Sequence, residues 1–389
     1  MIETTIEAAG GPLGASEGAL KAIQGLLRGM LEGGVVDALL VPMRLPGGSV
    51  APMVVKDPAA LHRADPLAPV LPINGARAVS QLTMTGHREK LGVVLRACEI
   101  RALVELVKFQ QVKLENVIII GVDCLGTYGV TDWLEVESQE RVVEELLAGA
   151  VEGRLEPYEG LSFRSACQMC EQPFPEGEHV GLEIGLVGVE AGKLYVRAEG
   201  ALAEALGLQG DGAPAGRAEA IEKVKASRVV VRDAAYEAYR GRIQATDGVG
   251  PGSMAGLLAE FGACIRCHNC MINCPICYCK ECIFRTPTFE HESELYYQWA
   301  SRKGTVRMMP DTLLFHLTRL NHMATSCVGC GMCTEACPVG IEVGTVFRAV
   351  GEKVQAIFEY EPGRSLEDTA PVQEFREEEL TALGVRPHV

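Results

Sequence analysis

Leu20, Ile23, Leu27 and Met30 recur at three- and four-residue spacing behind Ser16, a residue that can cap a helix. Gly33-Gly34 closes the pattern, so the first expected element is an amphipathic helix. Residues 36–41 and 51–55 read as short strands on either side of the turn-like Pro46-Gly47-Gly48, and Asp57-Pro58 opens a further helix. Two continuous apolar runs come next. Residues 91–95 read as a buried strand that ends at Cys98 and leads into the helical pattern Ile100, Leu103, Leu106, Val107. Residues 117–122 repeat the arrangement and end at Cys124. Apolar strands alternating with amphipathic helices predict an α/β (α+β) N-terminal domain on a parallel or mixed sheet. Ligands of such sheets gather outside the carboxyl ends of the strands, where both cysteines fall.

Farther on, Asp211-Gly-Ala-Pro-Ala-Gly216 reads as an exposed loop. Asp247-Gly-Val-Gly-Pro-Gly252 marks the change from cysteine-poor to cysteine-dense sequence and divides the chain into 1–250 and 251–389. From Phe289 onward the pattern is helical, with Leu313, Leu314, Leu317 and Leu320 on one face and a second helix over 343–358. This part carries the runs Cys264-x2-Cys267-x2-Cys270-x3-Cys274 and Cys327-x2-Cys330-x2-Cys333-x3-Cys337, so it is expected to be a mainly helical, two-cluster ferredoxin-like domain. The charged, proline-containing segment 361–389 reads as a tail that wraps or docks.

A length of 389 residues with 48% apolar content suffices for two or three domains and a sizeable core. The net charge of -15 argues against nucleic acid or an anionic membrane as the main partner, since both demand clustered Lys and Arg. No apolar run approaches the roughly 20 residues of a bilayer span, and residues 1–11 are acidic where a signal peptide would be basic and then apolar. A cytoplasmic protein without a membrane span is expected. Fifteen cysteines in such a chain imply metal rather than disulfides.

Their spacing carries the chemistry. Cys264-x2-Cys267-x2-Cys270-x3-Cys274-Pro275 and Cys327-x2-Cys330-x2-Cys333-x3-Cys337-Pro338 both fit the bacterial ferredoxin run. Three cysteines two residues apart wrap one face of a 4Fe-4S cubane, and the fourth ligand comes from elsewhere. In two-cluster ferredoxins the fourth cysteine of each run crosses to the other cluster. That rule assigns Cys264, Cys267, Cys270 and Cys337 to one cluster, and Cys327, Cys330, Cys333 and Cys274 to the other. Zinc sites use separated C-x2-C pairs instead of a run of three followed by Cys-Pro. One departure puts the crossing at risk: 52 residues, positions 275–326, separate Cys274 from Cys327.

Seven cysteines remain. Cys277-Tyr-Cys279-Lys-Glu-Cys282 comes directly after the first run, and two readings are open: a further metal with an outside ligand such as His268 or His291, or buried thiols. Cys167-Gln-Met-Cys170, with Cys98 and Cys124, supplies four cysteines to the N-terminal part, enough for a third 4Fe-4S cluster. By spacing alone the C-x2-C pair is equally half a zinc site or a redox disulfide.

The element Val93-Val-Leu-Arg-Ala-Cys98-Glu-Ile-Arg-Ala-Leu, the later Ile120-Gly-Val-Asp-Cys124, and Cys167-x2-Cys170 with Leu182-Glu-Ile-Gly185 beyond it resemble the β subunits of coenzyme F420-reducing hydrogenases and formate dehydrogenases. The C-terminal unit with Cys274-Pro-Ile-Cys-Tyr-Cys-Lys-Glu-Cys282 is most similar to the formate dehydrogenase type. The resemblance implies FAD beside a 4Fe-4S cluster, exchange of hydride with a soluble carrier (coenzyme F420 or NAD(P)), and relay of single electrons to or from a formate dehydrogenase, hydrogenase or heterodisulfide-reductase-like partner in a hetero-oligomer. Substrate oxidation would lie on another subunit, and no catalytic residue is assigned here. The chain has Leu95-Arg-Ala-Cys98 where the family commonly has Gly-Thr-Pro-Cys, and it lacks a G-x-G-x-x-G signature. Candidate flavin contacts are therefore Asn74, Gly75 and Arg77 before the first cysteine strand, with Lys90 and Arg96 as cations. The alternatives are a flavin-free electron wire and an adaptor held folded by its clusters.

Overall fold

The computed structural model describes residues 1–7, 15–84, 86, 88–244, 254–290, 292–304, 308 and 311–374. The expected boundary at 247–252 lies outside these residues, as do His291 and the end of the expected tail.

Seven strands form one mixed sheet: β1 (Ile2–Glu7), β2 (Ala38–Arg44), β3 (Val50–Val55), β4 (Leu91–Arg96), β5 (Val117–Val122), β6 (Leu182–Gly185) and β7 (Lys193–Ala198), in the order β1-β7-β6-β5-β4-β2-β3. The parallel core is β2-β4-β5-β6, and β3 and the β7-β1 pair close the two sides in antiparallel fashion. The two cysteine strands are thus central neighbours, as their unbroken apolar runs require.

Alternation along these strands feeds two cores. Leu39, Val41, Val94, Ile120 and Val122 face the helix Ala15–Glu32 and its neighbour Gln139–Val151. Ala38, Leu40, Leu91, Val93 and Ile119 face the other way, toward the helices Gly75–Met84 and Ala97–Lys108. This second core continues without a break into the cysteine-dense part through Phe261, Met271, Phe315, Val343 and Phe347. The C-terminal part therefore packs on the sheet's own helical layer.

Several elements differ from expectation. β1 and β7 carried no strand reading, and the 28-residue helix Arg217–Gln244 carried none either. The helix Thr312–Met323 forms, but its four leucines do not share the inner face: Leu313 and Leu320 pack partly on the core and Leu314 is 53% exposed, while Phe315, His316, Arg319 and Met323 are buried. No helix among the described residues is long and apolar enough to cross a membrane.

Candidate functional site

β4 and β5 end side by side, and buried polar groups hold the backbone at both ends. At the end of β4, Glu99 accepts from the Arg96 backbone N–H at 2.9 Å and from Gly75 N–H at 2.6 Å, which fixes the helix start carrying Cys98. At the end of β5, Asp123 accepts from the N–H groups of Leu186 and Val187 at 2.8 and 3.1 Å, and Cys124 N–H donates to Pro173 O. The C-x2-C pair lies on and just after the short helix Ser165–Gln168. Arg164 at its start donates to Thr127 Oγ1 at 2.7 Å, and Thr127 Oγ1 lies 3.0 Å from Cys167 Sγ.

The four N-terminal cysteines come together. The Cys98 thiol is pushed well above the ordinary thiol range by burial, then by Glu99, Cys124, Cys330 and Cys170. Burial also raises Cys124 to about 11, with Arg96 opposing and Cys167 and Cys170 adding. Burial acts upward on Cys167 too, but the Arg164 guanidinium and Thr127 outweigh it and bring that thiol below its usual value.

In the ferredoxin part, the two runs wrap in the same way. Each places a left-handed residue just before its second cysteine and another just after it. These are Arg266 (φ 56°) and His268 (φ 59°) in the first run, and Gly329 (φ 69°) and Gly331 (φ 74°) in the second. The left-handed turn points backbone N–H groups at sulfur, as in Arg266 N–H to Cys264 Sγ at 3.4 Å. Cys264, Cys267, Cys270 and Cys337 line one cavity, closed by Phe315 and His316. Cys274 instead neighbours the second run: after burial, which pushes Cys330 to about 12, it is the largest influence raising that thiol, and it likewise leads the sulfurs acting on Cys333. Cys337 therefore lies with the first run and Cys274 with the second, despite the 275–326 insertion.

Ionising several buried thiols side by side is costly without a cation. Iron inverts that balance by stabilising the thiolates, so the donor chemistry fits 4Fe-4S clusters in all three groups. Among the described residues no three His, Cys, Asp or Glu side chains close on one point as ligands of a single ion do. A cubane instead takes each thiolate on a different iron.

The groups also touch. Cys98 neighbours Cys330, Arg101 donates to Val328 O at 2.8 Å, and Ser165 Oγ donates to Glu342 at 2.7 Å. A Cβ added at Gly331 would stand 2.3 Å from Ala166 Cβ, at a φ that L side chains rarely adopt. Gly331→Ala is accordingly expected to cost about 2–4 kcal/mol from strain and overpacking. A urea midpoint equal to that of the parent chain would refute this close approach.

The flavin candidates do not assemble into one cradle. Arg96 donates to the carbonyls of Pro66, Ala68 and Val70, so its guanidinium is already engaged in holding the 66–70 loop. Lys90 precedes β4, so it sits about 20 Å from Cys98, at the opposite end of that strand. Gly75 N–H is taken by Glu99, and Arg77 donates to Cys274 O at 3.2 Å. Asn74 caps its helix through Oδ1 to Ala76 N–H and leaves a buried Nδ2 without a partner.

Cys277 neighbours Cys274, Cys279 and Cys282, while Cys279 is exposed. His268 is not brought to them: it lies against Phe315 and lines the cavity of the first cluster. Sequence reasoning missed His316, Arg319, Arg164 and Thr127, all of which contact cysteine sulfur. The available signal was a His and an Arg three residues apart inside the helical pattern.

Residues 260–341 match the model of the 4Fe-4S dicluster domain. The F420-dependent formate dehydrogenase subunit beta of Methanocaldococcus jannaschii is 27% identical over 307 residues, covering 71% of this chain and 74% of that protein. The F420-dependent formate dehydrogenase 1 subunit beta of Methanococcus maripaludis is 27% identical over 311 residues, covering 72% of this chain and 74% of its own. The chain resembles the formate dehydrogenase β subunits. A structure of the F420-reducing NiFe hydrogenase complex from Methanosarcina barkeri aligns with a TM-score of 0.45 at 13% identity, over 65% of this chain and 97% of that one. The resemblance to β subunits spans far more of the chain than the dicluster match, so it takes in the α/β part as well.

Proposed function

We propose that the chain is the electron-transfer subunit of an oxidoreductase complex. It would exchange hydride with a soluble carrier at FAD and relay single electrons through three 4Fe-4S clusters to or from a formate dehydrogenase, hydrogenase or heterodisulfide-reductase-like partner. The observation that carries the relay is the placement of three cysteine groups in series. Cys98, Cys124, Cys167 and Cys170 neighbour the second run at Cys330, and each run has the other's fourth cysteine beside it. The far end of the series reaches the surface at Cys267, the exposed ligand of its group. An electron entering at the sheet edge then has one continuous path to the partner's side.

FAD, when bound, would supply the conversion between electron pairs and single electrons. Its place in this reading comes from the resemblance and not from Asn74, Gly75, Arg77, Lys90 and Arg96. Their dispersal favours a second reading, a flavin-free wire between two protein partners. The relatives' names make reduced F420 the first carrier to test.

Anaerobic purification with iron and flavin analysis separates the readings. About twelve irons and one FAD per chain, with reduction by F420, NADH or NADPH, are expected for the flavin-linked relay. Twelve irons without flavin and no response to any carrier would leave the wire, and eight irons would remove the third cluster from both.

A further inference from the structure

Arg319 lies on the last helix of the 275–326 insertion and is only 4% exposed. Its guanidinium donates through Nη1 to Cys270 Sγ and through Nη2 to Cys270 O, both at 3.1 Å. The rings of Phe315 and Phe347 flank it at 5.6 and 5.0 Å, and its Nε has no partner. No carboxylate pairs with it among the described residues; its largest charge partners are Cys270, Cys274, Cys333 and Cys277. A buried guanidinium without an anion is a costly arrangement. The anions on hand are thiolates of both ferredoxin-type groups, Cys270 from one and Cys274 and Cys333 from the other. His316, one turn earlier, lies 3.3 Å from Cys264 Sγ on the same helix.

We propose that Arg319 is a fixed cation shared by the two ferredoxin-type clusters, and that it sets the cluster of Cys264, Cys267, Cys270 and Cys337 at the higher reduction potential. The inference rests on the proposed assignment of 4Fe-4S clusters to these cysteines. A one-electron reduction breaks no bond and adds one negative charge to the cluster, the electron coming from the neighbouring cluster. A charge-assisted hydrogen bond to a ligating sulfur strengthens as that charge grows, so it favours the reduced form. Cys270 receives that bond directly, whereas Cys274 and Cys333 feel only the charge. The gradient therefore draws electrons toward the cluster whose ligand Cys267 is exposed.

The test is an anaerobic potentiometric titration monitored by electron paramagnetic resonance on the full chain with its iron. In Arg319→Gln the equilibrium constant for reducing the Cys264 cluster is expected to fall at least tenfold, about 59 mV for one electron. The Cys327 cluster should fall less, and the cluster at Cys98 should stay unchanged as the internal reference. Arg319→Lys keeps the charge and loses the fork, so it should show part of the shift. Full iron content with wild-type potentials in Arg319→Gln would overturn the proposal, and equal shifts of both clusters would overturn the ordering. If Arg319→Gln assembles no iron, a wild-type potential in Arg319→Lys overturns it instead. A parent chain without 4Fe-4S signals would defeat the cluster assignment itself, an outcome distinct from any of these.

Discussion

Cys337→Ala is expected to lose the cluster held by the first run, although Cys337 belongs to the second. The cavity that joins Cys337 to Cys264, Cys267 and Cys270 places it where the fourth ligand is expected, and a cubane deprived of one of its four thiolates is destabilised. Iron should drop by about four per chain, a third of the total expected for three clusters. Pairwise substitution gives the decisive comparison. Cys264→Ala with Cys337→Ala should lose no more iron than either alone, because both residues serve one cluster, whereas Cys327→Ala with Cys337→Ala should lose about eight irons. The reverse pattern would mean that each run keeps its own fourth cysteine and that the insertion has undone the exchange.

The placement of Cys337 beside the first run and of Cys274 beside the second was legible in the sequence because it depends on spacing, and spacing survives insertion. The strands at the sheet centre were legible for a similar reason: Leu91–Arg96 and Val117–Val122 are buried on both faces, and nothing polar interrupts them. The edge was not. β1 pairs with β7 across nearly the whole N-terminal part, Ile2 with Ala198 and Glu7 with Lys193, and such a pairing leaves no local trace in a segment that alternates with Thr and Glu. Arg217–Gln244 escaped notice because it is polar on most sides and exposes Val230; its role is in single contacts, such as Arg228 donating to Cys170 O at 2.9 Å.

The helix Thr312–Met323 shows the limit of periodicity most clearly. Reading leucine as the buried type assumes an apolar core beneath the helix. Here the inner face meets cysteine sulfur, so His316 and Arg319 turn inward with Phe315 while Leu314 faces out. The flavin candidates meet a related limit. Arg96 and Lys90 are cations near one strand, but they stand at its two ends, and the one at the cysteine end is held by backbone carbonyls. A cation's value to a ligand depends on what else it already bonds, which no spacing reveals.

Arg217→Met should produce the largest loss of stability away from the cysteines. Arg217 is buried, donates to Asp123 Oδ2 at 3.3 Å, to Val187 O at 2.6 Å and to Glu183 Oε1 at 2.9 Å, and stacks on the Tyr195 ring at 4.3 Å. Methionine matches much of the stem but leaves two carboxylates facing each other out of water. Removing one member of a buried ionic group costs about 3–5 kcal/mol for that reason. The control is Arg197→Ala: Arg197 bonds the same Glu183 at 2.7 Å, but its side chain is 29% exposed, so water replaces it and about 1 kcal/mol is expected. Urea melts of the two variants should therefore differ by several-fold in lost stability, and equal losses would refute the buried charge as the cause. Because Asp123 fixes the end of β5 immediately before Cys124, Arg217→Met should also lose iron from the Cys98 group, while Arg197→Ala should keep it.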